Sequence, residues 1–162
     1  MTKTQFVLDA DLSLDFSLWA LHTTLSGYAL AFHLNKTLNS RFTRAQRDLK
    51  TEESEFAFYQ WDQPQQGIYC ELLQNKTLQQ LEDQGGPANL FEVETTKEVY
   101  LLPEVKQVPF LLKIHEGIAP QIIKKSLERS EAIQLYYLLA DKKLKTKLNI
   151  LTLKWRSEKK LK

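Results

Sequence analysis

The chain has 162 residues, 43% of them apolar and 26% charged, with a formal net charge of +2. That length and balance exclude a wholly disordered or collagen-like polypeptide and predict one domain able to bury its own core. A lone cysteine, Cys70, excludes an internal disulfide framework and a multi-cysteine zinc site, and no apolar run nears the ~18 residues of a membrane span.

In chain order, loose alternation over residues 5–9 and 15–22 predicts two short strands, or one strand after a turn at Asp9-Ala10-Asp11. Leu30, Ala31, Leu34 and Leu38 then form one apolar stripe, which predicts a helix over 26–38. Ser26 or Thr24 is able to cap it, and Asn39-Ser40 closes it. The aromatic-rich stretch 55–61, the turn 62–67 and the run 68–73 read as a hairpin. Residues 78–82 read as one helical turn, and Gln84-Gly85-Gly86-Pro87 as a mobile loop.

A second hairpin is expected from 98–102 and 108–114, with Pro109 placing its returning strand at an edge or starting it late. Pro120 opens a second helix, for which Ile122, Ile123 and Leu127 are the expected buried face. Residues 133–139 suit a strand or a helical extension, because a short apolar run is ambiguous by periodicity. Residues 149–153 read as a final strand. Hairpins beside helices, rather than strict alternation, predict α+β: an antiparallel or mixed sheet with two main helices packed on it. The domain spans 1–155, with a frayed basic tail over 156–162.

Reactive patterns are scarce. Gly85-Gly86 is followed by Pro87, which removes an amide donor, so no phosphate cradle is present. His22, His33 and His115 have no metal-ligand spacing, although His22 and His33 flank one helix start. Cys70 lies in a strand where an inert buried thiol is expected. The acidic groups Asp9, Asp11, Asp15, Glu92 and Glu94 read as solvated. No catalytic, cofactor or metal-binding residue is assigned, and a non-enzymatic protein is expected. Tyr59, Trp61 and Tyr69, with the loop at Gly85, are the walls a ligand site assembled in three dimensions would use.

Charge is unevenly spread. From residue 118 onward there are twelve Lys and Arg against four acidic residues, a net of +8, so the first 117 residues carry −6. Lys142, Lys143, Lys145, Lys147, Lys154 and Trp155 interleave cations with one aromatic ring. That combination suits the backbone and bases of single-stranded nucleic acid. The favoured reading docks Leu144, Leu148, Ile150, Leu151 and Leu153 on the core and leaves the lysines in water.

The stretch Tyr100-Leu101-Leu102-Pro103-Glu104, followed by Val108-Pro109-Phe110-Leu111-Leu112-Lys113-Ile114, resembles the signature of the IPExxxDY family of bacterial proteins. Leu14-Asp15-Phe16, the helix from Leu30 to Asn35 and Asn89-Leu90-Phe91 are similar to that family's pattern as well. Leu102, Pro103 and Glu104 occupy the first half of the signature, with leucine for isoleucine; Val108-Pro109-Phe110 stands where Asp-Tyr is expected. The resemblance implies a small cytoplasmic bacterial domain and brings no catalytic residues with it. The expected function is protein–protein contact, with a second copy or another protein. Nucleic-acid binding through the lysine-rich C-terminal third and a ligand site are the alternatives, and no membrane partner is expected.

Overall fold

The computed structural model describes residues 16–81 and 95–139. Their elements run β1 (Ser17–His22), α1 (Gly27–Thr37), β2 (Thr43–Arg44), β3 (Leu49–Lys50), β4 (Glu55–Phe56), β5 (Phe58–Gln63), β6 (Ile68–Gln74), β7 (Lys76–Leu81), β8 (Thr95–Tyr100), β9 (Phe110–Glu116), α2 (Pro120–Glu128) and β10 (Leu135–Leu138). Six strands form one antiparallel sheet in the order β10-β1-β9-β6-β5-β2, while β3–β4 and β7–β8 pair separately. The fold is α+β; among the described residues two helices accompany the sheets, and β5–β6 is the one hairpin in the large sheet, whose other neighbours are distant in the chain rather than the hairpin partners the sequence suggested.

Both faces of the large sheet are covered. Leu18, Trp19, Ala20 and Leu21 are consecutive and all buried, as are the residues from Phe110 to Ile114. A strand buried on both sides reads as a continuous apolar run rather than an alternation. One face receives the helices: Leu30, Ala31, Leu34, Ile123 and Leu127 pack with Trp19, Trp61, Leu72 and Leu112. The other receives the β3–β4 and β7–β8 segments and the turn after β8: Phe56, Val99, Leu101, Leu102 and Val105 pack with Leu18, Leu73 and Leu111. A fully buried leucine contributes roughly 1.5–3 kcal/mol, so each layer is a substantial part of the core.

Ser26 is the N-cap of α1, but its hydroxyl makes no capping bond. Thr23 Oγ1 instead accepts from the Leu25 N–H and donates to Ala132 O, tying the helix entry to the approach of β10. Asn39 follows the helix with φ +52, a left-handed position that asparagine tolerates. Pro120 stands at the first position of α2, where a missing N–H costs nothing.

Several sequence expectations are corrected. Residues 55–61 are not one strand: Glu55–Phe56 pairs with β3, and pairing with β6 begins at Phe58. Residues 78–81 make no helical turn; β7 runs through Leu81, because residues 95–100 supply a ladder partner. The expected hairpin of 98–102 with 108–114 does not form, since β8 pairs with β7 while β9 inserts between β1 and β6. Pro109 therefore protects no edge; it precedes a central strand and its carbonyl accepts from the Asn75 N–H. Ile122 is 55% exposed, one step around the helix from the Ile123 and Leu127 stripe. The ambiguous run 133–139 becomes the strand β10 by pairing with β1. The expected strands at 5–9 and 149–153, the loop at 84–87 and the tail at 156–162 lie outside the described residues.

Candidate functional site

The signature positions Leu102, Pro103 and Glu104 form a turn held from within. Leu102 is fully buried, and Pro103 and Glu104 begin a short 3-10 turn that runs to Val105. Asn75, between β6 and β7 and fully buried, organises it. Its amide Nδ2 donates to Val105 O (3.0 Å) and Val108 O (2.9 Å), and its Oδ1 accepts from the Leu102 N–H (2.8 Å). Its backbone N–H donates to Pro109 O (3.0 Å), and its carbonyl accepts from the Leu101 N–H (2.8 Å). One side chain thus satisfies three backbone groups that burial would otherwise strand. Asn75 belongs to no candidate site in the sequence; an asparagine between two strand-like runs, where glycine and proline are scarce, is the available signal.

The most chemically distinctive cluster lies on the face away from the helices. Glu71 and Lys113 are opposed residues on β6 and β9, 2% and 0% exposed, with Lys113 Nζ 3.5 Å from Glu71 Oε2. His115 Nε2 lies 3.3 Å from the same oxygen, and the Tyr69 hydroxyl donates to Oε1 at 2.8 Å. Lys113 Nζ also sits 4.4 Å from the centroid of the Phe16 ring, and the His115 ring lies between those of Phe16 (5.7 Å) and Tyr69 (4.8 Å). Burial pushes the Glu71 carboxyl up. The His115 hydrogen bond, the Lys113 charge and the Tyr69 hydrogen bond outweigh it and hold the carboxyl below its ordinary range. Burial, reinforced by the Glu71 charge, raises the Tyr69 phenol. Neither group changes charge near neutral pH, so Glu71 acts as a saturated acceptor that joins two central strands.

The other expected candidates do not converge. His22 Nε2 faces the Tyr137 hydroxyl at 3.4 Å, whereas His33 Nε2 faces the Ser130 hydroxyl at 2.6 Å. Cys70 is buried and burial pushes its thiol up to about 12, with Glu71 adding to the rise. Tyr59 and Trp61 lie on the helix side of the sheet and Tyr69 beside Glu71 on the other, so these rings do not wall one pocket. Among the described residues, no group of three His, Cys, Asp or Glu side chains is placed to hold a metal ion, and no helix is long and apolar enough to cross a membrane. Lys142, Lys143, Lys145, Lys147, Lys154 and Trp155 lie outside the described residues.

Two surface features complete the inventory. A groove of about 330 Å³ at one end of the sheet is lined by His22, Gln74, Lys76, Tyr100, Lys106 and Gln134, among others. Lys76 there is engaged with Glu98 at 3.0 Å, and Glu98 accepts from the Tyr100 hydroxyl at 2.7 Å.

The second feature is the contrast between the sheet's two edges. β2 is two residues long and carries Arg44, which lies over the Tyr59 ring and donates to Phe58 O. Among the described residues β10 is the other edge of the sheet; the sequence carries no charge from residue 132 to 140, and Leu135 and Leu138 are 52% and 56% exposed. Comparison of the chain with protein-family models, with curated proteins and with solved structures finds no match.

Proposed function

We propose that this chain is a protein-interaction domain that binds through the outer side of β10, and that it is a divergent member of the IPExxxDY proteins it resembles. The observation that carries the first part is the edge itself. Sheet edges present unpaired N–H and C=O groups and are ordinarily blunted by charge, proline, a bulge or brevity. β2 follows that rule with its two residues and Arg44. β10 carries none of the chemical blunting devices and exposes two leucines beside its backbone.

The second part is supported by the Asn75 clasp, which gives the Leu102-Pro103-Glu104 turn a structural reason to recur.

The test places a charge on each exposed leucine. Wild-type protein is expected in an assembly heavier than its 18.9 kDa in host-cell extract, measured by native mass spectrometry. Leu135→Lys with Leu138→Lys is expected to release it as a monomer with an unchanged melting temperature. An unaltered assembly, or a wild type that is monomeric in extract, would count against the reading.

A further inference from the structure

Resting on the reading of β10 as an interaction edge, we infer that its partner is a second copy of this chain, joined β10 to β10 across a two-fold axis through Tyr137, making one continuous sheet. The hydrogen-bonding register of β10 carries this. The Leu139 N–H donates to Leu18 O at 2.8 Å, and β10 runs antiparallel to β1 with Ala20 opposite Tyr137 and His22 opposite Leu135. Bonded positions alternate along an antiparallel ladder. Leu135, Tyr137 and Leu139 therefore turn their backbone groups to β1, and Tyr136 and Leu138 turn theirs outward.

A two-fold axis through Tyr137 sets Tyr136 opposite Leu138 of the second copy, and Leu138 opposite its Tyr136. These are outward-bonding positions on both strands. Four hydrogen bonds form, and the N–H and C=O of both residues are used on each copy.

The side chains agree with the backbone. On the helix side, the exposed Leu138 meets Tyr136 of the copy, whose ring already packs on the helix-side core. On the other side, the exposed Leu135 meets Leu139 of the copy, and the two Tyr137 residues face each other at the axis. An isologous contact brings residues near the axis close to their own copies, so a charge there would face its like. The absence of any charged residue from 132 to 140 removes that repulsion. The paired strands are short, so the dimer is expected in the micromolar range rather than tighter.

Tyr137→Cys tests the axis. Directly opposed, non-bonded residues have Cα atoms about 4.5 Å apart, within reach of a disulfide. Mild oxidation is expected to link two chains through position 137. Leu138→Cys, whose copy lies diagonally, is expected not to link. The buried Cys70 thiol does not compete.

Because Tyr137 packs on the core, a second pair of variants uses an exposed position. Leu138→Lys and Leu138→Glu are each expected to sediment as monomers alone and to associate when mixed, since the two 138 side chains lie about 7 Å apart across the axis. Linking at 138 but not 137, or no association on mixing, overturns the proposal. So does a wild type that stays monomeric to near-millimolar concentration. If the purified wild type is monomeric while extract holds a larger assembly that Leu135→Lys with Leu138→Lys releases, the interaction edge stands without the second copy; if the wild type is monomeric in extract as well, both readings fall.

Discussion

On one side of the central sheet, α1 and α2 lay Leu30, Ala31, Leu34, Ile123 and Leu127 against Trp19, Leu72 and Leu112, with no buried carboxylate or ammonium among them. On the other side the cover is made of short strands and turns, and the layer holds a carboxylate, an ammonium and an asparagine that are all nearly inaccessible to solvent. The helices satisfy their own backbone internally, so they need only an apolar stripe to pack. Strands and turns brought onto a sheet present unpaired backbone groups, and something polar has to be buried with them. Asn75 meets that requirement for the turn at Leu102–Val108, while Glu71 and Lys113 join strands β6 and β9.

The two sides should therefore respond differently to substitution. The largest effect is expected from Lys113→Met, which strips Glu71 of its cationic partner in a dry site and should cost roughly 3–5 kcal/mol in urea unfolding. Glu71→Leu added to Lys113→Met should recover much of that loss, and a double variant as unstable as the single would break the comparison.

Glu71 also makes this side acid-sensitive. Its carboxyl is held below the ordinary value of 4.5. Its stabilisation is thus complete above that pH and falls away as pH drops through it towards the folded-state value. Stability measured against pH should flatten in this window in Glu71→Gln.

Asn75→Ala comes next. It leaves the Leu102 N–H and the carbonyls of Val105 and Val108 without their partner, at a cost of roughly 3 kcal/mol. On the helix side, Ile123→Val removes one methylene from a buried site and should cost about 0.5–1.5 kcal/mol. Smallest of all, Phe32→Ser at the outer surface of α1, where the ring is 65% exposed, should stay within about 0.5 kcal/mol. Thermal unfolding of these variants ranks them directly.

The same contrast explains what could be read from the sequence. Leu30, Ala31 and Leu34, and Pro120 with Ile123 and Leu127, announce helices because helical periodicity and a proline at the first position are local signals. The run 58–73 announces a hairpin because its two strands are neighbours in sequence. The partner of residues 76–81 is fourteen or more residues away, and nothing local says that β8 belongs to β7 rather than to β9. Lys113 and Glu71 sit 42 positions apart in the chain, and each alone looks like an ordinary surface charge. Only the pairing of β6 with β9 brings them together. Asn75 is silent for the same reason, since its meaning lies in carbonyls some thirty residues downstream.

The position of β1 has a consequence for synthesis. This strand precedes both its neighbours in the sheet, β9 and β10, which are made about ninety or more residues later. The β5–β6 hairpin can close as soon as it is made, whereas Leu18, Trp19, Ala20 and Leu21 wait with both edges open until the chain reaches Leu139. Loop closure over such separations slows folding and lengthens exposure of apolar strand. A nascent chain stalled at any point between β1 and β10 therefore presents an adhesive strand, and its productive folding depends on keeping β1 apart from the β1 strands of other chains on the same message until β10 arrives.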